Sequence, residues 1–152
     1  MDSSLLSRLR ALAAKVRPRS PDLPEHLVRG ERGEKLAASY LRKQGYKILA
    51  RRYRPRVGRG DIDLVARERD VLVFVEVKTR SSENFGRPID AVDESKRRHL
   101  RRAALDYLRQ LGNPKLYFRF DVVEIVLGPD GKKAADIRLG RNVFDLGERY
   151  RY

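Results

Sequence analysis

Apolar residues recur along the 152-residue chain at two different spacings, and these spacings predict its secondary structure. Apolar residues three and four apart predict one helix at about 30–44 and another at 91–111. Shorter apolar runs typical of strands occur at 46–54, 61–67, 71–79, 117–127 and 134–139. The predicted order is α-β-β-β-α-β-β, which indicates an α/β domain with helices packed on the faces of a mixed central sheet.

The first 28 residues are predicted to form a flexible basic N-terminal extension. A short amphipathic segment containing Leu5, Leu9 and Leu12 precedes the stretch PRSPDLP, whose three prolines favour a linker over a helix. The amphipathic segment suits either a mobile tail or docking on a partner or membrane surface, and the mobile tail is the favoured interpretation. The rest of the chain is interpreted as one domain, 29–147, followed by a C-terminal tail, 148–152.

Composition excludes several classes of protein. The chain has no cysteine, so it has neither a disulfide framework nor a thiolate metal site, and this fits the cytoplasmic location that we expect. Its two histidines, His26 and His99, lack the spacing of metal ligands. No apolar run approaches the roughly 20 residues of a membrane span, and arginines interrupt the apolar N-terminus, so neither a span nor a secretory signal is expected.

The net charge of +14 predicts a polyanionic partner. Eight basic residues and no acid occur in 42–59, and eight basic residues accompany a single acid in 96–119. Between these blocks, 61–76 contains five acids and two bases. Basic surfaces around an acidic pocket suit an enzyme that acts on a phosphate backbone, although a generally basic, ribosome-associated protein would have a similar net charge.

The central hairpin brings acids and a base together. A turn centred on Arg69 and Asp70 places Asp63 opposite Glu76 and Asp61 opposite Lys78, with facing Cβ atoms about 4.5–5.5 Å apart. Two facing carboxylates repel each other, so a lysine, a divalent metal ion or both must compensate them. Oxygen ligands without His or Cys favour Mg²⁺ or Mn²⁺ over Zn²⁺.

The same residues carry a resemblance to known proteins. Asp63 followed by Glu76-Val77-Lys78 resembles the D…(D/E)-x-K signature of the PD-(D/E)XK nuclease superfamily. More specifically, GERGEKLAASYLRKQGYKILARRYR, GDIDLVARERDVLVFVEVKTR, SKRRHLRRAALDYL, RFDVVEIV and NVFDL resemble the YraN family of small bacterial proteins, which are grouped with Holliday-junction resolvases. The resemblance runs from about Gly30 to Leu146 and implies a restriction-endonuclease-like fold.

The resemblance also implies roles for individual residues. Asp63 and Glu76 match the metal-binding acids of the catalytic centre, and Lys78 matches the lysine that orients or activates the attacking water. Glu34 matches an additional metal-binding acid, although an acid in the first turn of a helix can also complement the helix dipole. Where YraN-like proteins usually have Gly-Glu-Ile-Asp, this chain has Asp61 in place of the glutamate.

Further basic residues are predicted to contact nucleic acid. Lys96 lies on the inward stripe of the second helix, where a phosphate contact near the metal and a snorkelling lysine are both consistent with the sequence. Asp121, in the middle of a strand, is interpreted as a structural hydrogen-bond acceptor. The predicted nucleic-acid contacts are Arg51, Arg52, Arg54, Arg56, Arg59, Arg80, Lys96, Arg97 and Arg98.

These features predict a Mg²⁺- or Mn²⁺-dependent endonuclease that acts on DNA, with branched or junction DNA as one expected substrate. A homodimer is also expected from the resemblance, because resolvases that cut two strands symmetrically are usually dimers. Two alternatives stay open: a catalytically weak or inactive DNA-binding module in recombination or repair, and a basic RNA- or ribosome-associated protein.

Overall fold

Five strands form one sheet in chain order, β1-β2-β3-β4-β5. The computed structural model describes residues 1–13, 23–81 and 88–146. All neighbouring strands are antiparallel except β3 and β4, which run parallel and are joined through a helix, as a parallel pair requires. The strands are β1 (Lys47–Tyr53), β2 (Ile62–Glu68), β3 (Val71–Arg80), β4 (Tyr117–Leu127) and β5 (Ala134–Phe144).

Within these ranges, three α-helices flank the sheet: α1 (Ser3–Ala13), α2 (Glu25–Lys43) and α3 (Glu94–Gln110). A short 3-10 helix, Pro88–Ala91, precedes α3. The predicted α/β class, mixed sheet and element order are confirmed, with α1 as an additional element, and the architecture is consistent with a restriction-endonuclease-like fold. None of the helices in the described ranges is long and apolar enough to cross a membrane.

Glycines end the two long helices in the same way. Gly45 and Gly112 have φ values of +91° and +82°, a conformation that costs glycine little. After α2, Tyr46 N–H donates to the Leu41 carbonyl oxygen at 3.0 Å, and after α3 the corresponding bond joins Asn113 and Leu108. These bonds form Schellman motifs, which explains why both helices stop where the sequence pattern predicted.

The sheet divides the core into two layers. On one face, the valines of β3 pack with Ala37, Ala38 and Leu41 of α2. On the other face, Leu72 and Phe74 pack with α3 and α1. The alternation along β3 therefore follows the prediction, in which the valines and the charged pair point to opposite faces.

Helix α1 is part of this core. Leu5, Leu9 and Leu12 are buried against the α3 face of the sheet, and Arg8 Nη1 donates a hydrogen bond to the Leu111 carbonyl oxygen at 2.9 Å. We expected a mobile tail here; instead, the amphipathic leucines cover apolar surface that the domain itself provides. Most of the proline-rich linker and the tail 148–152 lie outside the described residues.

Candidate active site

The hairpin of β2 and β3 follows the predicted register. Its pairs run from Glu68↔Val71 to Leu64↔Val75, one step short of Asp63 and Glu76. Beyond the last pair, Asp63 Oδ2 accepts a hydrogen bond of 2.7 Å from the Val77 N–H. The Asp63 carboxylate therefore binds the backbone of β3 directly beside Glu76.

A local reversal of strand alternation places Asp63 at the junction of the two layers. Tyr53 and Ile62 lie on the α3 face together with Ala50 and Val65, although strict alternation would put residues three apart on opposite faces. The reversal falls at Arg52 on β1, whose φ of +52° is unusual for a residue with a side chain, and at Asp63 on β2.

Burial and neighbouring acids raise the pKa of Asp63 well above its usual value. Desolvation is the largest cause, and the negative charge of Glu76 is the next. The Val77 N–H and Lys96 oppose the shift, whereas Glu34 adds to it. The pKa of Asp63 therefore depends on charged residues of β3, α3 and α2, as expected where three elements converge on one pocket.

Glu76 is the most buried acid of this group, with 3% of its surface exposed. Its Oε1 lies 3.3 Å from Lys78 Nζ and 3.2 Å from Lys96 Nζ. Its Oε2 is buried and has no hydrogen-bond partner among the residues that the structure describes. Lys96 thus points to the pocket and contacts its central acid, and one carboxylate oxygen is left with an unused acceptor site.

Helix α2 brings Glu34 to the same region. Gly33 packs so closely on β3 that a Cβ atom there would lie 1.8 Å from Thr79 Oγ1. Glu34 is buried, and its Oε2 accepts a 2.7 Å hydrogen bond from Arg52 Nε. Because α2 begins at Glu25, Glu34 is not in its first turn, and a role in complementing the helix dipole does not apply.

The donor set fits a hard divalent cation. The described residues contain no preassembled group of three or more His, Cys, Asp or Glu side chains that could hold a metal ion. Mg²⁺, however, commonly uses one or two carboxylates and completes its shell with water and substrate phosphate. Glu76 Oε2 and the neighbouring Asp63 carboxylate are two oxygen donors of the kind that such an ion would require.

Asp61 does not join the site as the register predicted. Strand β2 begins at Ile62, so Asp61 lies outside the ladder. Its Oδ2 is 3.2 Å from Arg54 Nε. Asp61 thus forms an exposed ion pair with Arg54 instead of the predicted position opposite Lys78. The prediction of three carboxylates from the hairpin alone was therefore wrong, and among the described residues the further acid whose charge acts on Asp63 is Glu34 of α2.

The predicted nucleic-acid contacts fall into three groups according to their contacts and exposure. Two arginines are engaged internally: Arg52 binds Glu34 and also Glu31, at 2.9 Å, and Arg97 Nε donates to the Val92 carbonyl oxygen at 3.0 Å. Arg51 is half-buried, and Arg80 and Lys96 are partly exposed beside buried acids. The exposed group consists of Arg54, Arg56, Arg59 and Arg98.

One buried acid near the site was not recognised in the sequence. Glu124 of β4 is 1% exposed and is the direct neighbour of Lys78 in the parallel register. Its Oε1 lies 3.6 Å from Arg80 Nε, and within the described ranges neither of its carboxylate oxygens has a hydrogen-bond partner. The apolar stretch VVEIVL gave no signal beyond an acid interrupting a strand.

Asp121, by contrast, has the structural role that was predicted. It accepts hydrogen bonds from Tyr46 Oη at 3.0 Å, from Arg119 Nε at 2.9 Å and from Asn142 N–H at 2.9 Å. Burial and the charge of Asp121 raise the pKa of Tyr46 to about 12, so the phenol remains a donor. This network ties the start of β4 to the end of α2 and to β5.

Comparison with known proteins identifies the family. The uncharacterised protein family UPF0102 matches residues 33–125. A UPF0102 protein of Symbiobacterium thermophilum is 49% identical over 115 residues, which cover 76% of this chain and 94% of that protein. A UPF0102 protein of Syntrophus aciditrophicus is 40% identical over 124 residues, covering 82% and 94% of the two chains. The resemblance to YraN-like proteins is therefore confirmed, and the chain belongs to the UPF0102 family.

Proposed function

We propose that this protein is a Mg²⁺- or Mn²⁺-dependent endonuclease that hydrolyses phosphodiester bonds in DNA. The observation that carries the proposal is Glu76, a buried acid with one unpartnered oxygen, beside Asp63, whose pKa is raised by burial and by Glu76. A buried carboxylate beside a second, half-buried one is costly unless a cation compensates the pair. The net charge of +14 supports a polyanionic substrate.

In the proposed reaction, water attacks phosphorus, one phosphorus–oxygen ester bond breaks, and the departing oxygen takes up a proton. A divalent cation held by Asp63 and Glu76 would lower the pKa of the attacking water and neutralise phosphate oxygens. Lys78 and Lys96 both contact Glu76 Oε1, within 3.3 Å. Once the cation compensates Glu76, these ammonium groups can donate hydrogen bonds to the attacking water and to a phosphate oxygen.

A second candidate is a DNA-binding module with weak or no catalysis. This candidate is favoured by the 2.7 Å hydrogen bond that Arg52 Nε donates to Glu34 Oε2, because the bond engages the third proposed metal ligand. Cleavage by the enzyme would require this ion pair to open or the cation to be held by only two acids. A homodimer, which could cut two strands symmetrically, is a further part of the proposal and is tested by sedimentation with and without DNA.

The proposal is tested by incubating the protein with linear, flapped and four-way-junction DNA and with structured RNA, in Mg²⁺ or Mn²⁺. We expect DNA cleavage that Glu76→Gln abolishes. Glu25→Gln is the matched control, because Glu25 is an exposed glutamate at the start of α2. DNA binding without cleavage by the wild type would favour the binding module, and a preference for RNA would overturn DNA as the substrate.

A further inference from the structure

The loop between β1 and β2 projects from the sheet beside the candidate site. Tyr53 and Ile62 are the last paired residues of the two strands, and Ile62 directly precedes Asp63. At the tip of this loop, Val57 is 83% exposed, which makes it the most exposed large apolar side chain among the described residues. Its neighbours in the loop include three exposed arginines, Arg54, Arg56 and Arg59.

The loop is held in place by α3. The Arg56 N–H donates a 3.1 Å hydrogen bond to Asp106 Oδ2, and the Tyr53 hydroxyl donates to the same oxygen. Gln110 Nε2 also donates to Asp106 Oδ2, at 2.8 Å. These hydrogen bonds lower the pKa of Asp106 against the effect of its burial, so the carboxylate stays ionised and the loop stays anchored.

A second anchor lies on the other side of the tip. Gly60 has a φ of +101° and packs so closely on α3 that an added Cβ atom would lie 2.7 Å from His99 Cβ. Val57 is therefore presented to solvent from a loop fixed at both ends, and not from a chain free to fold its apolar side chain inward. Ordering an exposed apolar tip in this way suits a surface that binds by insertion.

The chemistry of the loop matches a nucleic-acid duplex. Proteins that kink DNA insert apolar side chains between base steps, and flanking arginines hold the phosphates. Val57 lies six residues before Asp63, and at 3.3–3.6 Å per residue this segment reaches at most about 22 Å. Since stacked nucleotides rise about 3.4 Å each, this corresponds to about six base pairs along a duplex.

We propose that Val57 is a wedge that opens a base step of duplex DNA within about six base pairs of the phosphate that is cleaved at the proposed site of Asp63 and Glu76. This inference rests on the proposed function and refines its substrate. The preferred DNA would be a duplex with an easily unstacked step, such as a branch point or a flexible pyrimidine–purine step, because opening it costs least.

The test uses 2-aminopurine placed singly at successive positions of a branched duplex, in EDTA so that no cleavage occurs. The wild-type protein should raise the fluorescence at one or two positions next to the branch, as expected where a base is unstacked. Val57→Ser should lose this rise but retain DNA affinity, because its arginines remain. Val57→Leu should keep the rise, and Val28→Ser, which changes another exposed valine, should behave as wild type.

The outcomes separate this inference from the nuclease proposal. If the fluorescence rises equally with wild type and Val57→Ser, or does not rise although the wild type binds, the wedge is overturned and the nuclease proposal is unaffected. If the rise depends on Val57 but Mg²⁺ and Mn²⁺ give no cleavage, the wedge stands and the nuclease proposal fails. If the wild type binds none of these duplexes, both proposals fail.

Discussion

Lys96 of α3 and Glu76 of β3 approach each other to 3.2 Å at the centre of the candidate site. Lys78 approaches the same carboxylate oxygen, Oε1, at 3.3 Å, whereas Oε2 has no hydrogen-bond partner in the described part of the chain. Two ammonium groups on one buried carboxylate provide the charge compensation that a metal ion would otherwise give. The site without metal is therefore stabilised by the side chains that we expect to act on the substrate when metal is bound.

Replacing Lys96 should expose this dual role. We expect Lys96→Met to lower the free energy of unfolding by about 1 kcal/mol without metal, since a buried acid loses one of its donors but the lysine is partly exposed to solvent. Millimolar Mg²⁺ should reduce the loss, because the cation takes over the compensation. Urea titrations with and without Mg²⁺ measure both effects. Lys43→Met, at an exposed lysine of α2, is the control, and an equal loss in both variants would contradict the assigned role of Lys96.

The raised pKa of Asp63 predicts how stability depends on pH. A carboxyl group whose pKa is higher in the folded than in the unfolded state stabilises the fold below its unfolded pKa, about 3.9, and this contribution is lost as pH rises through the folded value. Metal-free wild type should lose this contribution on that rise, whereas Asp63→Asn should not. Thermal melts of both proteins at a series of pH values in EDTA provide the comparison, and parallel pH profiles would mean that Asp63 titrates normally.

The same variant tests the metal site at neutral pH. Without metal, Asp63→Asn should be as stable as the wild type or more so, because the amide relieves the repulsion from Glu76. A cation at a hundred times its dissociation constant should stabilise the wild type by about 2.7 kcal/mol and leave the variant unchanged. Melts with and without millimolar Mg²⁺ and Mn²⁺ decide the question. A destabilised variant beside a wild type that does not respond to metal would indicate a structural salt bridge instead.

The sequence predicted the features that depend on residues close together in the chain, such as the register of the β2–β3 hairpin. The turn at Arg69 and Asp70, with strict alternation, was enough to bring Asp63 beside Glu76, because one register fixes every facing pair. The same rule failed at Asp61, since the alternation reverses where Arg52 adopts a positive φ. A left-handed conformation at an arginine has no signature in a single sequence.

The contacts that the sequence did not predict are long-range. The docking of α1 depends on apolar surface around Leu111, and the Arg52–Glu34 pair depends on how α2 crosses β1. Glu124 became visible as a neighbour of Lys78 only when β3 and β4 were seen to pair in parallel. In each case the partners lie on elements whose relative placement is set by the whole core and not by spacing along the chain.

Glu124 and Arg80 should respond unequally to replacement. Arg80→Leu removes the cation nearest to the buried carboxylate of Glu124, and we expect a loss of about 1–3 kcal/mol in the free energy of unfolding, since Arg80 is itself partly exposed to solvent. Glu124→Leu should cost little, because the partly exposed Arg80 can turn to solvent. The double variant should recover most of the loss caused by Arg80→Leu. Chemical denaturation of the three variants measures this double-mutant cycle. An equal loss of unfolding free energy in the two single variants would show that Glu124 does not depend on Arg80 for charge compensation.

Salt dependence should separate the arginines that bind DNA from those that hold the fold. If exposed arginines neutralise even six phosphates, DNA affinity should fall on the order of a thousandfold between 50 and 200 mM salt. Arg59→Gln should reduce the slope of log affinity against log salt by about 1 and leave stability unchanged, because Arg59 lies on the exposed loop. Arg52→Gln should instead lower the melting temperature, because it leaves the buried Glu34 without its 2.7 Å donor. Fluorescence anisotropy titrations at four salt concentrations, paired with thermal melts, test both variants. A salt slope that Arg59→Gln does not change would place the DNA-binding surface elsewhere than on this loop.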